Sequence, residues 1–369
     1  MTSTFERRTR ECREALAAAD ADGAVLSPGP NMYYLAGFHE EPSERHLLLF
    51  VPARGEPVFV APTMYREQLA ETPVEEVRLW DDGDDPVALL GEVGTELGLV
   101  DGHVLLDDRM WATFTTDLRV ALPEASFGLA GEVLADLRIC KDDYELDALR
   151  RAATLADEVS GAVRELGEGA IGLTERELAR EIETRLADGG GEEPSFDSIV
   201  GAGPNGAKPH HRHGDREIEA GDPVVLDFGA YVDGYPGDQT RTVVFAGDPP
   251  EGFEEVFETV REAQEAGVEA VEPGIEAQAI DQVAREVIEE AGYGEQFLHR
   301  TGHGVGLEVH EPPYIVAGND RQLEPGMVFS VEPGIYLEGE FGVRIEDLVV
   351  VTEEGCERLN DSPRGWRPL

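Results

Sequence analysis

The chain of 369 residues exceeds one ordinary domain and suits two. Its 77 acids face 30 bases, a net charge of -47, yet at 41% hydrophobic it can bury a sizeable core, which excludes a disordered acidic polymer. Phosphates would be repelled by such a surface, so nucleic-acid binding is not expected.

The acids are spread along the sequence, and only two of the bases are lysines, Lys141 and Lys208. The even spread argues against an acidic patch for a basic partner and reads as halophilic adaptation to a salty cytoplasm. No run of about 20 apolar residues is long enough to span a membrane. The opening MTSTFERRTRECREAL carries charges where a signal peptide needs an apolar stretch, so a cytoplasmic location is expected. Cys12, Cys140 and Cys356 are distant and odd in number, which suggests free thiols rather than a disulfide framework or zinc knuckle.

From the start of the chain, residues 1–133 read as an α/β domain. Strands are expected at Ala24–Ser27, Leu47–Val51, Pro57–Ala61, Val74–Trp80 and Val104–Asp107, with helices around Arg7–Ala19, Pro86–Leu97 and Met110–Val120. His39, His46 and His103 are isolated in sequence and read as surface or satisfied histidines. A second domain, 134–369, is expected to be α+β. It opens on a capping box, Asp142 to Glu145, ahead of apolar residues at helical spacing; a second box, Thr174 to Glu177, opens a helix ending at Gly189.

This domain repeats itself. Gly172 through Leu178, Ile182 and Leu186 parallels Gly274 through Ile280, Ala284 and Ile288, each after a long amphipathic helix, the second from about Glu254 to Val271. Val224–Gly229 then resembles Val328–Gly334. One duplication fits two halves related by a pseudo-twofold, with a site between them.

Asp227 and Asp238 flank the turn signal Val232-Asp233-Gly234, so a hairpin folded there sets their carboxylates roughly opposite each other. Like charges across a hairpin destabilise it, and Asp227 lies in an apolar run, so a cation is needed between them. Glu332 and Glu346 repeat the arrangement about Gly339. Between the pairs lies His299–His310, whose glycines permit tight turns and close approach to a ligand. Four carboxylates and one imidazole can hold two divalent cations, and oxygen-rich ligation suits manganese, cobalt or iron better than structural zinc.

From about Leu137 onward the sequence resembles the pita-bread metallopeptidases: prolidase, aminopeptidase P, methionine aminopeptidase and creatinase. The resemblance implies five metal ligands: Asp227 in LDFGA, Asp238 in GDQTRT, His303 in GHGVG, Glu332 in VEPGIY and Glu346 in VRIED. Pro30–Phe38 resembles a stretch of the creatinase/prolidase N-terminal domain. The complete ligand set separates the chain from creatinase-like members, and the N-terminal domain and GVRIED from methionine aminopeptidases. The prolidase and aminopeptidase P group remains. Some prolidases place an Arg four residues after the second active-site His; here that position is Tyr314, and HEPPYI is closer to short aminopeptidase P-like members.

The resemblance implies hydrolysis of the bond before proline in short peptides, with two divalent ions, Mn2+ or Co2+, and a metal-bridged hydroxide as nucleophile. Glu332 binds metal and shuttles the proton, and His310 and His210 stabilise the oxyanion. Arg344 is expected either to orient the ligating carboxylates or to form a plain ion pair. His211 reads as a neighbour, His213 as a possible substrate contact, and Tyr235 as either a pocket wall or packing. A homodimer is the expected assembly. The rival readings are a binding protein on the same fold that has lost catalysis, and a hydrolase of another C–N bond, creatinase-like or acting on methionyl peptides.

Overall fold

The computed structural model describes residues 4–368. Two units divide the chain, one up to Arg138 and one from Ile139. The boundary expected after residue 133 falls inside a helix, Gly131–Arg138, whose residues stay with the first unit.

In the first unit β-rich runs and helices alternate: α1 (Thr4–Ala18), β1 (Gly23–Leu26), α2 (Pro30–Ala36), β2 (Leu48–Pro52), β3 (Val58–Pro62), α3 (Arg66–Leu69), β4 (Glu76–Trp80), α4 (Pro86–Glu96), β5 (His103–Leu106), α5 (Ala112–Ala121), β6 (Ser126–Leu129) and α6 (Gly131–Arg138). The strands form one mixed sheet, β4-β3-β2-β1-β5-β6, antiparallel across β3-β2-β1 and parallel elsewhere. Val25, Phe50, Val60 and Leu106 from one face pack against Leu90 and Val93 of α4 and Phe114 and Leu118 of α5. Asp85 starts α4 by accepting from Val87 N and Ala88 N, with Pro86 at the first helical position.

The five expected strands and three expected helices are present, each with ends shifted by no more than a few residues. Four further elements, α2, α3, β6 and α6, lie outside that expectation. Pro30 opens α2, and Gly37, at φ 66, closes it with its N–H on Tyr33 O. His46 bonds Asp117 Oδ2 at 2.8 Å and His103 bonds Ser126 Oγ at 3.0 Å, so both are satisfied locally.

The second unit begins with α7 (Asp143–Arg164) and α8 (Glu175–Asp188), each opened by its capping box, Asp142 with Glu145 and Thr174 with Glu177. Then come β7 (Ile199–Ala202), β8 (Val224–Phe228), β9 (Tyr231–Val232), β10 (Tyr235–Pro236) and β11 (Gln239–Val243). The second half follows: α9 (Phe253–Glu269), α10 (Ala277–Glu290), β12 (Gly302–Gly304), β13 (Glu311–Ile315), β14 (Val328–Val331), β15 (Gly334–Leu337), β16 (Phe341–Arg344), β17 (Asp347–Thr352) and β18 (Gly355–Arg358).

The duplication read from the sequence is structural. The sheet β11-β8-β7 is matched by β17-β14-β12 within β13-β12-β14-β17-β18, and the ribbon β9-β10 by β15-β16. Leu178, Ile182 and Leu186 of α8 pack with Val200, Leu226 and Phe228 in the first half; Val271, Ile280, Phe329 and Val349 pack in the second. Cys12, Cys140 and Cys356 are not joined in disulfides, and burial pushes the Cys12 thiol up to about 12. Among the described residues no helix is long and apolar enough to cross a membrane.

Candidate metal centre

Two hairpins carry the four acids. β8 pairs with β11 so that Asp227 faces Thr240 and Phe228 faces Gln239, with the turn at Asp233-Gly234, both at positive φ (49 and 76). That register is two residues beyond the one that would set Asp227 and Asp238 directly opposite. The two aspartates are therefore diagonal neighbours on one face, still close enough for Asp227 to help raise the pKa of Asp238. In the second half β14 pairs with β17 and β15 with β16 in one continuous register, Val331 with Asp347 and Gly334 with Arg344. Glu332 and Glu346 lie in that register, opposite each other.

The imidazole comes from β12, the central strand between β13 and β14. A Cβ on Gly302 would overlap the carbonyl oxygen of Ser330, and one on Gly304 that of Pro312. These glycines thus serve strand-to-strand approach within the sheet, rather than the tight turns expected of them. His303 is held by its own N–H on Ser330 Oγ at 3.1 Å, and Thr301 by Asp281 of α10, which accepts from both its N–H and its hydroxyl.

Asp227, Asp238, His303, Glu332 and Glu346 all line one cavity of about 880 Å³ in the second unit. Asp238, His303 and Glu346 each offer a ligand atom within 4.8 Å of the others. His303 Nε2 lies 3.2 Å from Glu332 Oε1 and 3.7 Å from Asp238 Oδ2. Arg344 donates to Asp227 Oδ2 at 2.6 Å through Nη2, to Thr240 Oγ1 at 3.1 Å through Nε, and to Tyr336 at 2.8 Å through Nη1. The Thr240 hydroxyl in turn donates to Glu346 Oε2 at 2.6 Å. Arg344 is therefore more than a plain ion pair, since it fixes a carboxylate from each hairpin, one of them through Thr240.

The electrostatics of these acids favour a cation among them. Burial, then Asp227 and Glu332, push Asp238 well above the usual carboxylate range; burial, then Asp238 and Glu332, do the same to Glu346. Asp227 is raised by burial despite Arg344. Burial also works against ionised Glu332, but the hydrogen bond and charge of His303 outweigh it and hold that group at about 2. Asp227 Oδ1 is buried without a hydrogen-bond partner. A buried acceptor with nothing to accept from, beside carboxyls that resist ionising together, fits divalent cations bound by oxygen with one nitrogen.

The walls carry the remaining candidates. His310 stands exposed at the rim, its ring edge-on to His303 with centroids 4.1 Å apart. Desolvation of that ring, then the charges of His303 and Arg300, hold its pKa well below the ordinary value. His210 and His213 lie on the loop after β7, His210 exposed and His213 fixed by Nδ1 at 2.9 Å from Ser198 O. His211 also lines the cavity, but its ring is bonded to Glu175 Oε2 at 2.8 Å.

Of the two alternatives for Tyr235, pocket wall or packing, it takes the second, and it does not line this cavity. Fully buried, it donates its hydroxyl to Glu145 Oε1 of α7 and lies edge-on to Tyr144. The sequence reading passed over Thr240, Glu175, Tyr336 and Arg300. Thr240 looks like any strand former, and Glu175 like any first-turn helix acid.

The description Metallopeptidase family M24 matches residues 147–353, and Creatinase/Prolidase N-terminal domain matches 8–140. A probable dipeptidase PepE of Mycobacterium tuberculosis is 42% identical over 364 residues, covering 97% of this chain and 95% of the relative. The crystal structure of a prolidase from Thermococcus sibiricus superposes with a TM-score of 0.95 at 39% identity, covering 100% of both chains. An Xaa-Pro dipeptidase from Bacillus anthracis gives 0.90 at 33% identity, covering 99% of this chain and 100% of that one. The duplicated second unit is thus a pita-bread catalytic domain behind a creatinase-like N-terminal domain, and the chain belongs to metallopeptidase family M24.

Proposed function

We propose that this chain hydrolyses the peptide bond preceding proline in short peptides, as an Xaa-Pro dipeptidase or aminopeptidase. The observation that carries this reading is the convergence of four carboxylates and His303 in one cavity that also presents His310 and His210. Whole-length similarity to a prolidase and an Xaa-Pro dipeptidase supports the choice of substrate.

Asp227, Asp238, His303, Glu332 and Glu346 would hold two divalent cations, and the oxygen-rich set favours Mn2+ or Co2+. Cations there supply Lewis-acid polarisation of the scissile carbonyl and bring the pKa of a water toward neutrality. Glu332, which stays ionised, accepts the proton of the attacking water and delivers it to the proline nitrogen as that leaves. His310, kept neutral, and His210 donate N–H to the carbonyl oxygen as it gains charge. Arg344 and Thr240 keep the ligating carboxylates aimed, and His213 borders the substrate. The net charge of -47 supports a salt-adapted cytoplasmic enzyme. The assembly we expect is a homodimer, which light scattering at the enzyme's working salt would check.

The test is a panel of Ala-Pro, Ala-Pro-Ala, creatine and Met-Ala with Mn2+ or Co2+ supplied. Cleavage confined to the proline peptides is expected; turnover of creatine or Met-Ala alone would refute the reading. His310→Ala should keep its metal by elemental analysis and lose on the order of 10²-fold in kcat, as for loss of an oxyanion donor.

A further inference from the structure

In a chain with 77 acids and 30 bases, a buried or half-buried cationic side chain finds an acid easily. Arg241 and Arg358 do so with Asp347, Arg285 with Asp281, and Arg344 with Asp227. Arg300 does not. It is half-buried in the wall of the same cavity, and among the described residues its guanidinium has no ion pair and no hydrogen bond. It lies instead on the Tyr314 ring, 4.5 Å from the centroid.

Its backbone is clamped on both sides. Arg285 Nη2 donates to His299 O at 3.0 Å, and Thr301 N donates to Ile315 O at 3.0 Å and to Asp281 Oδ1 at 3.1 Å. The Tyr314 ring holds the guanidinium in the cavity wall, and a guanidinium presents paired N–H groups that take a carboxylate in two parallel hydrogen bonds. Arg300 lines the same cavity as His303 and His310, whose rings lie 4.1 Å apart, so it shares that cavity with the group that faces the scissile carbonyl.

We infer that Arg300 receives the free carboxylate of the substrate's proline and so biases the enzyme toward dipeptides. This rests on the Xaa-Pro reading above. In a dipeptide the carboxylate lies one residue beyond the scissile carbonyl; in a tripeptide a neutral amide occupies that place and leaves the guanidinium unpaired. Arg212 also lines the cavity but is exposed and solvated, where its charge is worth little.

The experiment compares kcat/KM on Ala-Pro, Ala-Pro-NH2 and Ala-Pro-Ala for the wild type, Arg300→Gln, Arg300→Lys and Arg212→Gln, all metal-loaded. The wild type should prefer Ala-Pro over the amide by on the order of 10- to 100-fold, the range for a charge-assisted hydrogen-bonded pair. Arg300→Gln should erase that preference to within about threefold, chiefly through KM, and Arg300→Lys should retain part of it. Arg212→Gln should keep the wild-type ratio. Equal losses on Ala-Pro and its amide in Arg300→Gln, or a ratio that follows Arg212, would overturn the assignment. So would a wild type that shows no preference among proline peptides, with the Xaa-Pro reading intact. A wild type that cleaves none of the three would refute that reading instead. Should Arg300→Gln lose its cooperative melt, Arg300→Lys carries the same comparison.

Discussion

Glu175 offers the sharpest test of how the cavity wall is held. Its side chain is fully buried and accepts four hydrogen bonds: Ala202 N at 3.0 Å, Asn205 Nδ2 at 2.9 Å, His211 Nε2 at 2.8 Å and Gly214 N at 3.0 Å. These partners bracket the loop that carries His210 and His213. The largest single effect on its pKa is burial, which raises it, but the accepted hydrogen bonds together prevail and the pKa is lowered. Glu175→Ala removes all four acceptors. Hydrogen bonds to a charged group contribute about 1.5–3 kcal/mol each, but Asn205, His211 and Gly214 are half-buried and recover part from water. The backbone N–H of Ala202 is buried and does not. A loss of about 3–4 kcal/mol is expected, against about 1–2 for Glu175→Gln, which keeps an acceptor for Ala202.

Because the folded pKa is depressed, this stabilisation is present above the unfolded value near 4.3 and is lost as pH falls through the folded one. Urea unfolding at pH 7 and pH 4, with kcat/KM measured beside it, checks all three statements. Glu175→Ala within 1 kcal/mol of wild type and with undiminished turnover would show that Glu175 does not hold the loop.

Chelation followed by dialysis should abolish peptide hydrolysis, with Mn2+ or Co2+ restoring it, and Asp238→Asn should lower metal content and activity together; full activity in a preparation metal-free by elemental analysis would refute this. Asp107 behaves oppositely to Glu175: burial, with Asp108 adding, pushes it up to about 6, so its stabilising contribution is complete below about 4 and fades as pH rises through 6. Asp107→Asn should therefore melt higher relative to wild type at pH 7 than at pH 4.5; a pH-independent difference would contradict this. With a net charge of -47, the melting temperature should rise with KCl from 0.1 to 2 M even with metal saturated, because the Debye length contracts from about 10 Å toward 3 Å; a flat dependence would assign the acidity another purpose.

The sequence carried the duplication well because α8 and α10 keep their spacing and their apolar faces, and nothing tertiary is needed to see that. It carried the Glu332 and Glu346 register for a similar reason, since the turn about Gly339 is symmetric and the strands run on without interruption. The Asp227 and Asp238 register slipped because positive φ at both Asp233 and Gly234 moves the turn one residue onward. Helix α2 was missed although Pro30 and Gly37 mark its ends, because its seven residues are too few for periodicity to emerge. Partners distant in sequence were not legible. Thr240 gains its meaning from Glu346, Arg300 from Tyr314, and Glu175 from the loop it caps, pairings that only folding creates.

The two hairpins are stitched together along β11. Thr240 O accepts from Glu346 N, Thr242 Oγ1 bonds both the N–H and the carbonyl of Arg344, and Arg241 binds Glu346 O and Asp347. Each half therefore orients the acids of the other. Cut within the Asp248–Gly252 connection, the unit would yield two fragments, each with an incomplete ligand set and its orienting residues on the other piece. The two copies of the duplication are consequently interdependent: removing Arg344 from one would release Asp227 in the other, and removing Thr240 would release Glu346.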